Sequence, residues 1–313
     1  MNDRLHIVVM SGGPSAEREV SLRSGVAVTR ALRTRGHQVT DFDPIDDDWW
    51  LPEGIDVVFL ALHGTYGEDG QVQAHLDQLD VPYTGTGSEA SRMAFDKALT
   101  KECLHKAGLA TPVWAVVDSP NAARPAGLEP PLVLKPVRQG SSVGLQFMES
   151  ADQWGEALIE VLKHDEQALV EPKIVGREVT VAILDDQPLP VVEMCPKQGA
   201  YDYHNKYTAG ATNYFCPANF DAPTTKAIQL LGLAAHRALG VRDYGRVDIM
   251  VDVDGTPTML EVNTLPGMTE TSLLPKAADA AGIDFASPCG SLLIGIGVGS
   301  KILGSSPGSW VQI

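Results

Sequence analysis

Apolar and polar positions along the chain fall into blocks that predict repeated strand–helix units. Residues 5–10, "LHIVVM", form an apolar run of the length a buried strand needs. "SGGPSAEREVSLRSG" leads from it into a helix through about Arg35, stopped by Gly36. "HQVTDF" and "IDVVFLAL" (55–62) read as two further strands. The glycine-rich "HGTYGEDG" then opens a helix on which Val72, Leu76 and Leu79 form an apolar stripe. Strands alternating with helices in this way predict a parallel sheet covered on both faces. The turn-rich "VPYTGTGSEAS" closes the unit, which places a first domain at 1–87.

A smaller α+β unit follows over 88–171, with a helix in "DKALTKECLHKAG" and strands in "TPVWAVV", "PLVLKP" and "QALVEP". The third unit, 172–313, opens with the strand "REVTVAIL" and contains the amphipathic helix "TTKAIQLLGLAAHRALG". It also holds "GRVDIMVDVDGTPTMLEVNTLPG", two β-rich runs around Asp254-Gly255, a dipeptide that favours a tight hairpin turn. From about residue 286 the chain turns Gly- and Ser-rich without period. Six glycines with Pro288 and Pro307 oppose a continuous helix there, so this tail is expected to lie outside the functional fold.

The hairpin carries unusual cargo. Glu261 and Asn263 are two apart and share a strand face, and pairing across the turn brings Asp248 beside them. Two carboxylates buried together repel strongly. Either they are solvated on an edge or a hard cation sits between them, and oxygen-only donors suit magnesium. "KPVRQGSSVG" (135–144) offers a strand-ending lysine and a small-residue loop whose amides can cradle phosphate, although a plain surface loop would read the same way. A metal site and a phosphate loop together point to magnesium-ATP. The glycines at 12–13 are a different case. "SGGPSAE" lacks G-x-G-x-x-G and has Pro14 where an amide would meet a phosphate, which argues against a dinucleotide fold. Glu17 there either answers the helix dipole or, facing inward, holds a substrate ammonium.

Composition narrows the setting. The 313 residues are 44% apolar and 20% charged, as in a soluble chain of two or three units. A net charge of −16 argues against general affinity for nucleic acid or anionic membrane. Cys103, Cys195, Cys216 and Cys289 lie far apart with no C-x-x-C pair, so reduced, buried thiols in a cytoplasmic setting are expected. "LHIVVM" is too short for a targeting core, and no apolar run approaches the roughly 20 residues that span a bilayer.

Nine stretches in order, among them "GGPSAEREVS", "LHGTYGEDG", "KPVRQGSSVG", "NKYTAGATNYFCPA", "GRVDIMVD" and "LEVNTLPGMTETSLLPKAA", resemble the D-alanine–D-alanine ligases of the ATP-grasp superfamily. The resemblance covers about residues 5–285. It implies an α/β, three-domain ATP-grasp architecture with an N-terminal parallel-sheet domain, and ATP-dependent ligation of two D-alanines through an acyl phosphate. That dipeptide serves peptidoglycan precursor synthesis. Sister ligases that join D-alanine to D-lactate or D-serine, and a non-catalytic nucleotide-binding relative, stand as alternatives. By the same resemblance Lys97, Lys135 and Lys206 contact ATP phosphates, and Ser142 belongs to the ATP site. Glu171 and Glu178 lie on the adenine and ribose sides, and the backbones of Pro172 and Ile174 read the adenine edge. Asp248, Glu261 and Asn263 match ligands of two magnesium (or manganese) ions. Glu17, linked through Ser141 and Tyr207, anchors the first D-alanine's ammonium. Arg246 and the Gly267 N–H serve the oxyanion, Ser272 and Leu273 receive the second carboxylate, and His63 lies near the site without an assigned step. A cytoplasmic homodimer is the assembly such a relative implies.

Overall fold

A computed structural model describes residues 4–46, 49–201, 205, 206, 208 and 210–284. The expectations for Tyr207 and for the tail from about 286 therefore lie outside the described residues.

The first unit is a parallel three-stranded sheet in the order β2-β1-β3, from β1 (His6–Met10), β2 (Gln38–Phe42) and β3 (Val57–Leu60). β1 and β3 are almost wholly buried, as their unbroken apolar runs require, and β2 is the half-exposed edge. Helix α1 (Arg18–Thr34) connects β1 to β2. It stops at Gly36, which takes a left-handed φ of +89° while His37 N–H reaches back to Leu32 O at 3.3 Å. In α2 (Gln71–Gln78) Val72 and Leu76 are buried as expected. Leu79 is not: it lies one residue past the helix and is 46% exposed, so the apolar stripe is one residue shorter than its spacing predicts.

Helices α3 (Ser88–Phe95) and α4 (Lys97–Lys106) follow, and Leu104 of α4 joins the core beneath the large C-terminal sheet. The central unit is an antiparallel sheet, order β4-β7-β5-β6, of β4 (Ala115–Val117), β5 (Leu132–Pro136), β6 (Gln146–Met148) and β7 (Ala168–Pro172). Helix α5 (Trp154–Val161) covers one face through Leu158 and Val161. The C-terminal sheet has the order β11-β10-β8-β12-β13, with β8 (Gly176–Leu184), β10 (Val192–Pro196), β11 (Thr212–Phe215), β12 (Tyr244–Asp252) and β13 (Pro257–Asn263). A two-residue strand, β9 (Gln187–Pro188), pairs with β8. Helix α6 (Ala222–Ala238) packs on this sheet, and α7 (Leu273–Ala280) ends the described chain.

The β12–β13 hairpin forms, but its turn is longer than the Asp254-Gly255 pair suggests. Residues 253–256 lie outside both strands, and only Gly255 takes a positive φ (+83°). A two-residue turn of the favoured mirror type needs positive φ at both central positions. Here Asp252 Oδ1 instead accepts the N–H groups of Asp254 (3.0 Å) and Thr256 (2.8 Å), a side-chain turn that takes four residues.

One continuous core joins the first and third units. Ile7–Met10 and Val57–Leu62 share it with Leu184, Met194, Tyr244, Leu265 and Leu274. Polar ties reinforce the seam: Asp243 Oδ2 accepts Gly85 N–H at 2.7 Å, and Tyr244 O–H donates to Leu60 O at 3.3 Å. Among the described residues Cys103, Cys195 and Cys216 are free thiols, half-buried rather than fully buried as expected. No helix among the described residues is long and apolar enough to cross a membrane.

Candidate active site

Strand register gathers the hairpin's polar groups. In the β12–β13 ladder Asp248 stands opposite Glu261 and Arg246 opposite Asn263, so all four lie on one face. Asp248 is buried and does not stand unpaired. Arg246 Nε and Nη2 meet its two oxygens at 2.9 and 2.8 Å, and Thr180 Oγ1, across the ladder on β8, donates to Oδ1 at 2.6 Å. Burial pushes the Asp248 carboxyl up, but the adjacent guanidinium and these hydrogen bonds hold it below its usual range. Arg246, expected to face an oxyanion, is therefore also the cation that makes a buried Asp248 tolerable. Asn263 Oδ1 is buried without a hydrogen-bond partner among the described residues.

A cavity of about 190 Å³ opens beside this face. Glu17, at the N-terminal boundary of α1, accepts from Ser141 Oγ at 2.5 Å, so the first and central units meet there. Ser141 and Ser142 both hold left-handed φ values (+51° and +58°), uncommon for residues with a side chain and concentrated at functional sites. Glycines make the space: a Cβ at Gly140 would lie 2.5 Å from Glu17 Oε1, and one at Gly64 3.0 Å. Gly140→Ala is thus expected to displace the Glu17 carboxylate and raise KM for the first amino acid at least about tenfold, the size of one charged contact, with ATP KM little changed; steady-state kinetics checks it.

His63 also lines this cavity and is buried. A carbonyl only accepts, so Nδ1–H donates to Leu265 O at 2.9 Å. Nε2 then takes the Ser24 hydroxyl at 2.9 Å, and Ser24 Oγ accepts Met268 N–H at 3.2 Å. Burial lowers the imidazole pKa, which keeps this neutral arrangement. The network fixes the loop bearing Gly267 against α1. At Gly267 a Cβ would come within 2.7 Å of Ser272 Oγ, the residue that precedes α7. Ser272 Oγ accepts Thr269 N–H at 3.1 Å, and Leu273 starts the helix behind it. Glu68, which the sequence pattern did not single out, also lines the cavity. Its carboxyl is raised well above the ordinary range by burial and by the nearby Glu17. Only the fold reveals it, because its loop neighbours give no periodic signal.

A larger cavity, about 570 Å³, lies between the central and C-terminal sheets and shares Lys97, Lys206 and Glu261 with the first. Leu145, Phe147, Met250 and Leu260 give it apolar walls, and Pro172 and Ile174 lie along it. Lys97 is buried and donates to Gln139 O at 2.5 Å. Lys206 sits 5.1 Å from the Tyr201 ring centroid. Lys135, on β5, donates to Glu171 Oε1 at 2.6 Å, while Ser142 Oγ donates to Tyr201 O at 3.4 Å. Glu171 holds a lysine on each oxygen, with Lys101 Nζ 2.8 Å from Oε2. Burial raises the Glu178 carboxyl to about 7, reinforced by Asp248 and Glu261 against Lys206. A carboxyl raised in the folded protein stabilises it at low pH and loses that contribution as pH rises through the folded pKa. Glu178→Gln is therefore expected to melt higher than wild type at pH 8, by an increment that shrinks as pH falls through about 7 and is gone below about pH 4.5. Melting curves of the ligand-free protein across that window check it.

The glycine loop at 12–13 has no amide to offer a phosphate: Gly12 N–H donates to Ser21 Oγ (2.7 Å) and Gly13 N–H to Asp43 Oδ1 (2.9 Å).

Comparison with known proteins gives the family. Residues 103–294 match the family model "D-ala D-ala ligase C-terminus" and residues 45–86 the model "D-ala D-ala ligase N-terminus". The chain belongs to the D-alanine–D-alanine ligase family. Within that family it is 45% identical to the D-alanine–D-alanine ligase of Methylacidiphilum infernorum, over 80% of this chain and 82% of that one. The ligase of Syntrophotalea carbinolica is 46% identical with the same coverage. Among solved structures, a Bacillus anthracis D-alanine–D-alanine ligase complexed with ATP superposes with TM-score 0.82 at 32% identity, covering 96% of this chain and 99% of that one. The VanG D-Ala:D-Ser ligase of Enterococcus faecalis reaches TM-score 0.84 at 27% identity, covering 94% and 100%. The ATP-grasp fold is thus common to ligases named for different second substrates.

Proposed function

We propose that this protein joins two D-alanines in an ATP-dependent, ADP-forming reaction. The observation that carries the reading is the pair of connected cavities. A small one is lined by Glu17, Arg246 and Ser272, a large one by lysines and apolar walls, and Lys97, Lys206 and Glu261 stand at their junction.

In this reading Glu17, held by Ser141, binds the first D-alanine's ammonium and leaves its carboxylate facing the junction. That carboxylate attacks the γ-phosphorus of ATP, the bond to the β-phosphate oxygen breaks, and ADP departs. Lys97, Lys135 and Lys206 offset the phosphate charge, while positioning does most of the work. Ser142 belongs to the same phosphate loop, Glu171 and Glu178 flank the nucleotide, and Pro172 and Ile174 border its base. Ser272 and Leu273 orient the second D-alanine's carboxylate. Its amine attacks the acyl carbon, and Arg246 with the Gly267 N–H stabilises the oxyanion until phosphate leaves. His63 positions the Gly267 loop.

The residues present fit the divalent ions that the family resemblance implies. Asp248, Glu261 and the unpartnered Asn263 oxygen form an all-oxygen set. Among the described residues no three His, Cys, Asp or Glu side chains converge as a metal cage. Two carboxylates and an amide oxygen suit magnesium, which commonly takes one or two carboxylates and completes its shell with water and substrate phosphates. When bound, such ions supply charge neutralisation and a template for phosphoryl transfer.

The three-unit division at about 87 and 171, a homodimeric assembly and a cytoplasmic place in peptidoglycan precursor synthesis belong to the same proposal. The net charge of −16 supports small-molecule partners rather than nucleic acid or anionic membrane. The test is phosphate release with ATP and D-alanine alone, then with D-lactate or D-serine added. Release with D-alanine alone, with the dipeptide as product, supports the reading. Release only with D-lactate or D-serine favours a sister ligase, and none with any of them a non-catalytic relative.

A further inference from the structure

One lysine that lies behind the nucleotide cavity, against its Glu171, has no role so far. Lys101, on α4, is completely buried. Its ammonium forms an ion pair with Glu171 Oε2 at 2.8 Å and donates to Thr111 Oγ1 at 2.9 Å and Pro112 O at 3.3 Å. The Trp114 ring centroid lies 5.8 Å away. A buried ammonium costs several kcal/mol in lost hydration, and a dry site retains one only where its donors are matched. A residue that merely filled this face of α4 would be better as leucine or methionine.

The location gives the lysine a task. Residues 107–114 carry the chain from α4, packed on the C-terminal body, to β4 of the central sheet. The start of this linker is pinned to β13, where Met259 N–H donates to Ala110 O at 2.9 Å. The next two residues, Thr111 and Pro112, meet Lys101. The same ammonium reaches Glu171 on β7, whose other oxygen holds Lys135 at 2.6 Å. Linker, helix and nucleotide-site carboxylate thus converge on one nitrogen.

We propose that Lys101 is a positioning residue for the nucleotide: it holds Glu171, and through Glu171 the Lys135 ammonium, in register with the strand that bears Glu261 and Asn263. The proposal deepens the ATP-dependent reading above and rests on it. Without Lys101, Glu171 keeps a single countercharge and draws the Lys135 ammonium away from the phosphates. The hydroxyl of Thr111 and the carbonyl of Pro112 also lose their donor.

Calorimetric binding of ADP with magnesium, alongside KM values for ATP and D-alanine, decides the matter. Lys101→Met is expected to weaken ADP binding about tenfold or more, the scale of one charged hydrogen bond, with D-alanine KM within about twofold. In a Glu171→Gln background the same substitution is expected to cost less than about twofold, because its partner is already gone. An equal loss in both backgrounds, an unchanged ADP affinity, or a parallel rise in D-alanine KM overturns the proposal in favour of a structural filler. If Lys101→Met does not fold, Thr111→Val removes one acceptor without touching Glu171. It is expected to weaken ADP about threefold, and unchanged affinity there overturns the proposal equally. Failure of the wild-type protein to form the dipeptide would strike the ligase reading and leave the ADP measurements to judge Lys101.

Discussion

Glu261→Gln is expected to lower dipeptide formation by about 10³-fold or more while the melting temperature stays near wild type. Among the described residues Asp248 is already neutralised by Arg246, whereas Glu261 makes no ion pair and stands at the junction of the two cavities. Its charge is therefore available to cations that arrive with the nucleotide. The amide keeps shape and volume and removes that charge. ADP release with a thermal melt on the same sample reads both quantities. Turnover near wild type at low magnesium would end the assignment.

Arg246→Met should damage stability and activity together. The guanidinium contacts both oxygens of a buried carboxylate, and removing one partner of such a pair costs about 3–5 kcal/mol because the other charge stays stranded. The loss of an oxyanion donor adds a rate deficit of about 10²–10³-fold. Adding Asp248→Asn isolates the stability effect, since it relieves the stranded charge while also removing a carboxylate proposed for the metal. The double variant is expected to recover much of the melting temperature and none of the activity. Recovery of activity in the double variant would show that Arg246 serves only the fold.

The parts of this molecule that the sequence exposes are those where local pattern and tertiary demand agree. The apolar runs of β1 and β3 had to be buried strands, and Glu261 and Asn263 had to share a face once β13 was a strand. β6, β10 and β11, by contrast, are three to five residues long and carry mixed polarity, too little for a period-two signal. The bond from Arg246 to Asp248 was also hidden. Residues two apart on a strand share a face, but whether they pair depends on what else neutralises them. Lys101 escaped for a similar reason: on a helix it reads as one more surface lysine, and only the neighbouring sheet reveals its burial.

The core shared by the first and third units limits how this protein can be recombined with its relatives. Exchanging residues 1–87 alone would leave Tyr244, Leu265 and Leu274 facing a foreign surface and strip Asp243 of the Gly85 N–H it holds. The central sheet keeps a separate core of its own, around Leu132, Leu134, Leu158 and Val170. A chimera that transplants only the segment from β4 to β7 therefore keeps that core whole, whereas α3 and α4 pack on the C-terminal body and must stay with it. One that transplants the first must carry residues 242–244 and 265–278 with it. The first and third units thus behave as one packed body, and the central sheet as the separable one.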